Sequence, residues 1–304
     1  MTLILAPRPA LPATRIGPVT FRWGERTFVM GILNVTPDSF SGDGLLTGAG
    51  TRPGDDAVER ARRMVAEGAD LLDIGGESTR PGHEPLSPAD EIARVIPVIA
   101  AVRSALPGTP ISVDTAKPEV AEAALAAGAD LLNDVWGTAP ADTMATVAAA
   151  HGVPLVLMHN RPEARYTALL PEVIADLQAA IQRALDAGVP ASDILIDPGI
   201  GFGKTADHNV TVLRELAALR LLGHPILLGT SRKSTLGRIL DLPVEERLEA
   251  TLATTALGIA AGVDLVRVHD VQANVRAARV SDAIVRGTWR ADQPQADLPQ
   301  GGPR

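Results

Sequence analysis

The feature that most restricts the fold is a six-residue phrase that comes back. Gly68-Ala69-Asp70-Leu71-Leu72-Asp73 recurs 60 residues on as Gly128-Ala129-Asp130-Leu131-Leu132-Asn133. It returns 134 residues after that as Gly262-Val263-Asp264-Leu265-Val266-Arg267. Each copy follows an alanine-rich helical stretch, so its glycine reads as a helix C-cap and the apolar residues after the aspartate as a short strand. A βα unit of roughly 31 residues, an eighth of a barrel of about 250, makes these spacings close to two units and to four. Val29–Leu33, Ile111–Val113, Leu155–Met158, Ile194–Ile196 and Ile226–Leu228 supply the remaining strands. Eight strands alternating with helices predict an α/β fold with parallel strands and right-handed crossovers, a single-domain (β/α)8 TIM barrel. A doubly wound open sheet is the alternative; repeat count and length favour the barrel.

Ser87-Pro88-Ala89-Asp90 reads as a capped helix start. Ile92, Val95, Ile96 and Ile99 follow on one face, with a kink expected at Pro97. Val173, Leu177, Ile181 and Leu185 make a second stripe. Two extended runs between Val19 and Leu33 flank Trp23-Gly24-Glu25-Arg26 and predict a β-hairpin leading into the first core strand. Residues 1–13 read as a flexible N-terminus and 288–304, rich in Pro, Gln, Asp and Gly, as a disordered tail, which leaves 14–287 for the barrel.

Composition excludes several classes of function. A formal charge of −8 draws the chain to neither nucleic acid nor an anionic membrane, and 3% aromatic residues are too few for base-stacking platforms. Without cysteine there is no disulfide, thiol nucleophile or Cys-type zinc site, which fits a cytoplasmic protein. The N-terminus makes a poor signal peptide, and no run approaches 18 apolar residues.

In such a barrel the carboxyl ends of the strands build the site. Here they carry Asn34, Asp73 with Glu77, Asp114, Asn133 with Asp134, His159, Asp197, Lys233 a little beyond its strand, and Arg267 with His269. Any one Asp or Asn also suits a turn, so each taken alone is structural about half the time. A polar group at every strand end is the pattern of an enzyme mouth. Asp114, Asn133 and Asp197 could read a flat heterocycle with ring N–H and amino donors. Lys233, Arg267 and His269 read as the cations, the last two sharing a face to hold an anion. Asp197 opens Asp197-Pro-Gly-Ile-Gly-Phe-Gly-Lys204, where bare glycines would let a ligand approach backbone N–H groups. Pro198 stands where a P-loop needs its first glycine, and the third glycine is one residue early for a dinucleotide fingerprint. His83, His151, His208 and His224 read as solvated, and Glu59–Arg63 as an exposed helix face. Carboxamide and carboxylate oxygens beside an anion suit Mg²⁺.

The blocks Met30–Phe40 (Met-Gly-Ile-Leu-Asn-Val-Thr-Pro-Asp-Ser-Phe), Asp73–Gly82 (Asp-Ile-Gly-Gly-Glu-Ser-Thr-Arg-Pro-Gly), Ser112–Thr115, Leu132–Asp134, Asp197–Lys204, Ser231–Ser234 and Arg267–Asp270 together resemble the dihydropteroate synthase family. The resemblance covers about Thr27 to Arg286. It implies a folate-synthesis barrel that joins 6-hydroxymethyl-7,8-dihydropterin pyrophosphate to p-aminobenzoate, releasing pyrophosphate. By the same resemblance, Asp114, Asn133, Asp197 and Lys233 hold the pterin, and Asn34, Arg267 and His269 the pyrophosphate. Asn34 and Asp43 hold Mg²⁺, and Phe40, Thr79, Arg80, Pro81, Phe202 and Ser234 shape the p-aminobenzoate pocket. Segments 41–50 and 77–88 would close as lids. A homodimer is expected on the same ground. Ser41-Gly42-Asp43-Gly44 departs from the family's usual Ser-Asp-Gly-Gly, which shifts the loop aspartate by one place. Arg161, after Met158-His159-Asn160, is a further departure and an extra cation that could reach the mouth. A pterin-binding methyltransferase acting on a methylated folate, and a catalytically inactive pterin binder, are the other readings; Ser231–Ser234 and Glu77–Pro81 favour the synthase.

Overall fold

The computed structural model describes residues 10–35, 53–77, 86–139 and 143–289. Phe40, Asp43, Thr79, Arg80, Pro81 and His83 lie outside them, as do most of both expected lids, residues 1–9 and 290–304. An antiparallel hairpin, β1 (Thr14–Ile16) and β2 (Val19–Phe21), precedes eight parallel strands. These are β3 (Phe28–Asn34), β4 (Leu71–Gly75), β5 (Ile111–Asp114), β6 (Leu131–Asp134), β7 (Leu155–Met158), β8 (Ile194–Asp197), β9 (Leu227–Leu228) and β10 (Leu265–Val268). The first seven connections carry α1 (Pro53–Ala66), α2 (Pro88–Ala105), α3 (Pro118–Ala126), α4 (Met144–His151), α5 (Leu169–Asp186), α6 (Ala206–Arg214), and α7 (Ser234–Leu240) with α8 (Leu248–Ala261). The chain then ends its barrel in α9 (Val271–Val285). The sheet runs β8-β7-β6-β5-β4-β3-β10-β9, and a parallel bridge from Ile196 to Ile226 joins its two edges. The barrel therefore closes.

The recurring phrase has a separate task for each residue. Gly68, Gly128 and Gly262 adopt the left-handed conformation just past α1, α3 and α8, where a side chain would be strained. Each aspartate then accepts an N–H at the start of a neighbouring strand: Val29 N–H to Asp70 (2.8 Å), Ile111 N–H to Asp130 (2.9 Å) and Ile226 N–H to Asp264 (3.0 Å). Leu71, Leu131 and Leu265 face inward and join Met30, Val156, Leu195 and Leu227 in the floor of the barrel. Alternate residues face outward, so Leu72, Leu132 and Val266 belong to the larger core between sheet and helices. The sixth residue of the phrase falls two places after the inward leucine, on the same face and one layer nearer the mouth. In three strands the phrase therefore delivers Asp73, Asn133 and Arg267 to the interior.

The hairpin plugs the floor. Phe21 stacks on Trp23 (5.5 Å between centroids), Phe28 lies 4.7 Å from Phe21, and all three are buried. Its turn is at Gly17-Pro18, with Ile16 paired to Val19, earlier than the sequence signal at Trp23–Arg26 suggested. That second stretch is a turn too, with a bridge between Trp23 and Arg26 and a long Glu25 N–H to Arg22 O bond (3.4 Å). Ser87 caps α2 as expected, accepting from Asp90 N–H, and Pro97 lies inside a continuous helix. On α5, Val173, Leu177 and Ile181 are buried while Leu185 is exposed.

Candidate active site

Arg267 holds the centre of the mouth. Its Nε donates to Asp73 Oδ2 (2.5 Å) and its Nη2 to Asp114 Oδ2 (2.6 Å), so one guanidinium from β10 bridges carboxylates on β4 and β5. Asn133 Nδ2, from β6, donates to the same Asp73 oxygen (3.1 Å). In sequence Asp73 is one strand-end residue among many. Its rank was legible, because it fills the same slot of the recurring phrase as Asn133 and Arg267.

The other side of the mouth is built by Asp197 and Lys233. Asp197 Oδ1 accepts Gly199 N–H (2.7 Å), and Lys233 Nζ sits 4.0 Å above the Phe202 ring centroid. Burial pushes the Asp114 carboxyl up to about 7, against the pull of Arg267 and with help from Asp73. Burial raises Asp197 to about 6, resisted by the Gly199 N–H and by Lys233. Lys233 is lowered to about 8 by burial and by Arg267, with Asp197 and Asp114 opposing. Burial also opposes the charge on Arg267, but Asp73 and Asp114 outweigh it and hold its pKa above the ordinary value. Carboxyls and an amine driven toward neutrality in one cavity mark a place where charge is meant to meet a ligand.

His269 differs from expectation. Its Nδ1 lies 2.9 Å from Ser231 Oγ, and that oxygen already accepts the His269 backbone N–H (3.1 Å). The Ser231 hydroxyl can then donate to Nδ1, which leaves the ring proton on Nε2. Burial, with Arg267 and Arg232 nearby, lowers its pKa to about 3. His269 is a neutral N–H donor at pH 7, and not the third cation. Asn34 ends β3, paired in register with Gly75, and its side chain makes no hydrogen bond among the described residues.

The glycine-rich loop also differs. A Cβ on Gly199 would lie 1.8 Å from the His159 carbonyl oxygen, and one on Gly203 2.4 Å from that of Arg161. The N–H groups of Gly199 and Gly201 go to Asp197 and to Asn209 (2.8 Å). Glycine here lets the loop lie flat on the end of β7 and leaves little bare backbone for a ligand. Lys204 locks it, with Nζ donating to Gly199 O and Phe202 O (3.1 Å each) and meeting His159 Nδ1 (2.8 Å). The far side of that ring, Nε2, reaches Asp176 on α5 (3.1 Å). Burial lowers Lys204 to about 7 and His159 to about 4. Arg161 pairs with Glu172 (2.7 Å) and Asp176 (2.8 Å), so it is committed to α5 and away from the mouth.

Beside Asp114 opens a recess of about 180 Å³ walled by Thr115, Val135, Trp136, Asn160 and Phe202. The sequence marks neither Trp136 nor Asn160 as a site residue. Trp136 is 39% exposed in a chain with few aromatics, the one cue the sequence offered. Ser234, the first residue of α7, lies at a separate recess of about 400 Å³ with Arg238 and Arg247. Glu77 is drawn into ion pairing with Lys117, which also holds Glu91, and Asp134 accepts Trp136 N–H (2.8 Å) as a turn residue. Among the described histidines read as solvated, His224 is buried, with Nδ1 3.2 Å from Ile194 O.

Residues 30–269 match the pterin binding enzyme family. The chain is 50% identical over 273 residues to a dihydropteroate synthase of Clostridium beijerinckii, covering 90% of this chain and 99% of the relative. The chain belongs to the dihydropteroate synthase family. A crystal structure of the Clostridium difficile dihydropteroate synthase in the presence of pteroic acid superposes with TM-score 0.82 at 47% identity, covering 88% of this chain and 99% of that one. A Xanthomonas albilineans dihydropteroate synthase with 4-aminobenzoic acid gives TM-score 0.83 at 40% identity over 90% and 98%. Membership in the dihydropteroate synthase family and the closed barrel agree, and the buried polar mouth is the site that such an enzyme needs.

Proposed function

We propose that this chain is a transferase that condenses 6-hydroxymethyl-7,8-dihydropterin pyrophosphate with p-aminobenzoate to give 7,8-dihydropteroate and pyrophosphate. The observation that carries the reading is the juxtaposition in one mouth of Asp114, Asn133 and Asp197 with Arg267 and Lys233. The first three, with Lys233, suit the donor and acceptor edge of a pterin. Arg267, neutral His269 through Nε2–H, and Asn34 suit the pyrophosphate. Phe202 and Ser234, together with Phe40, Thr79, Arg80 and Pro81, are assigned to p-aminobenzoate.

An aromatic amine is a weak nucleophile, so the leaving group must be made to leave. The substitution is dissociative: the C–O bond to pyrophosphate breaks first, its electrons going with the oxygen, and the amine lone pair then forms the new C–N bond at the electron-poor pterin methylene, the amine proton going to solvent. The guanidinium of Arg267 lies where charge grows on the departing oxygens, in a water-poor site where it counts for more. Asp114 and Asp197 face the ring on which positive charge develops. Mg²⁺ fits the amide oxygen of Asn34, with Asp43 as the other assigned ligand. Mg²⁺ bound beside a pyrophosphate usually keeps several waters and takes one or two protein oxygens together with substrate phosphates. When bound, it would neutralise the pyrophosphate.

A cytoplasmic homodimer acting on small molecules, with no nucleic-acid or membrane partner, completes the reading. No helix among the described residues is long and apolar enough to cross a membrane. Exposed Leu257, Val280 and Ile284 on α8 and α9 give a dimer an apolar face, and a monomer mass by light scattering would overturn it. The decisive assay is pyrophosphate release from the dihydropterin pyrophosphate and Mg²⁺, with and without p-aminobenzoate. Amine-dependent release with dihydropteroate formed is expected. Pterin binding without release would point to the methyltransferase or the inactive binder.

A further inference from the structure

We infer that Asp73 is a positioning residue: from beneath the site it orients the Arg267 guanidinium and the Asn133 amide, and so sets what each presents to substrate. The inference rests on the assignment of Arg267 to pyrophosphate. The Asp73 side chain is fully buried, and a single oxygen, Oδ2, accepts from Arg267 Nε and from Asn133 Nδ2. An ionised carboxylate accepts and never donates, so Asn133 must turn its NH₂ toward Asp73 and its carbonyl oxygen elsewhere. The amide that reads the pterin is thereby fixed as an acceptor toward the site. On the other partner, Asp73 takes the Nε–H, which pins the plane of the fork and leaves the remaining N–H groups beyond the Asp114 contact for phosphate oxygens.

Packing supports a role in orientation rather than ligand contact. Asp73 lies in register with Ser112 on β5, and both Asp73 Oδ1 and Ser112 Oγ are buried with no hydrogen-bond partner among the described residues. A buried carboxylate that leaves an oxygen unmatched is costly unless the partners it does hold need it there. The two partners it holds are the residues that occupy its own slot in the other copies of the phrase. A catalytic group is held in productive geometry only when the groups behind it are themselves fixed, and Asp73 stands behind two.

The test is a double-mutant cycle on the full chain, reading inorganic pyrophosphate and bare 6-hydroxymethylpterin affinity by calorimetry, with KM and kcat alongside. Asp73→Asn keeps the shape but offers an NH₂ and an acceptor weaker than the carboxylate. It should weaken pyrophosphate binding by about tenfold or more. Arg267→Ala should weaken it at least as far, and Asp73→Asn should add little to Arg267→Ala. Losses that multiply, or unchanged affinity in Asp73→Asn while Arg267→Ala is impaired, would overturn the inference alone. Unchanged affinity in Arg267→Ala would instead overturn the assignment beneath it. If Asp73→Asn does not accumulate as folded protein, Arg267→Lys asks the same question. An ammonium keeps the charge but cannot take up the fork geometry, so its affinity should fall toward that of Arg267→Ala, and wild-type affinity would overturn the inference.

Discussion

Two histidines at strand ends carry different chemistry from what their positions suggest. His269 reads in sequence as a cation two places beyond Arg267. In the fold it is part-buried against Ser231, with Arg267 close enough to disfavour its charge, and this holds it neutral with its proton on Nε2. Charge state depends on what the fold packs around the ring, and that is why a linear motif could place the residue but not titrate it. Its pKa lies at about 3 in the empty site, and if His269 also binds pyrophosphate as a neutral Nε2–H donor, the affinity carries no contribution from its titration between about pH 5 and 8. Affinity of wild type and His269→Gln, measured across that range, should give parallel curves. This comparison cancels the ligand's own ionisation. A gap that widens below pH 6.5 would show a histidine gaining charge and sink the neutral reading. His159, the other strand-end histidine, never reaches substrate in this geometry; it spans Lys204 and Asp176.

At the scale of elements, the strands and the repeat were legible because their causes are local. The aspartate clamps, left-handed glycines and inward leucines all lie within six residues of one another; three core strands carry that rhythm, and the other five are short apolar runs at compatible spacing. The hairpin register was less legible, since Gly17-Pro18 and Trp23–Arg26 are both turn sequences and only the packing of Phe21 and Trp23 on Phe28 decides between them. The loop from Asp197 to Lys204 shows the limit most clearly. Its glycines are visible in sequence, but what presses on them, the carbonyls of His159 and Arg161, is brought there by tertiary structure. The loop's rigidity rests on Lys204, which ties two of its carbonyls to β7 and, through His159, to α5. Lys204→Met should lower stability by about 1–3 kcal/mol in urea unfolding, as several buried acceptors lose their donor. Because Phe202 rides on this loop, KM for p-aminobenzoate should rise while bare pterin affinity changes little. Loss of pterin affinity with an unchanged KM would place the loop on the wrong substrate.

The whole molecule is a barrel with an apolar floor and an unstable ceiling. Aromatic residues of the hairpin close one end, while the other gathers buried Asp73 and Asp197 with part-buried Asp114, Lys233 and Arg267. Such a mouth costs stability when empty, and the cost has a sign that can be checked. Burial holds the Asp114 carboxyl at about 7 in the folded protein, against the 3.8 of an ordinary aspartate. Between those values the folded protein holds a proton that the unfolded chain has released, so this group's contribution to stability is lost as pH rises from about 4 through 7. Buried His159 and His269, with lowered pKa values, slope the opposite way below 6.5, so the total curve hides the effect and a difference is needed. Urea unfolding of wild type and Asp114→Asn without ligand should show wild type losing stability relative to the variant across that window, then running parallel above it. Parallel curves throughout would mean that Asp114 is ionised at ordinary cost. The same ionisation should be recovered on binding, because ring N–H donors meet a carboxylate better than a carboxylic acid. Pterin affinity should therefore strengthen as pH rises from about 5.5 to 7.5 and lose that slope in Asp114→Asn, so that the strain stored in the empty mouth becomes selectivity for its ligand.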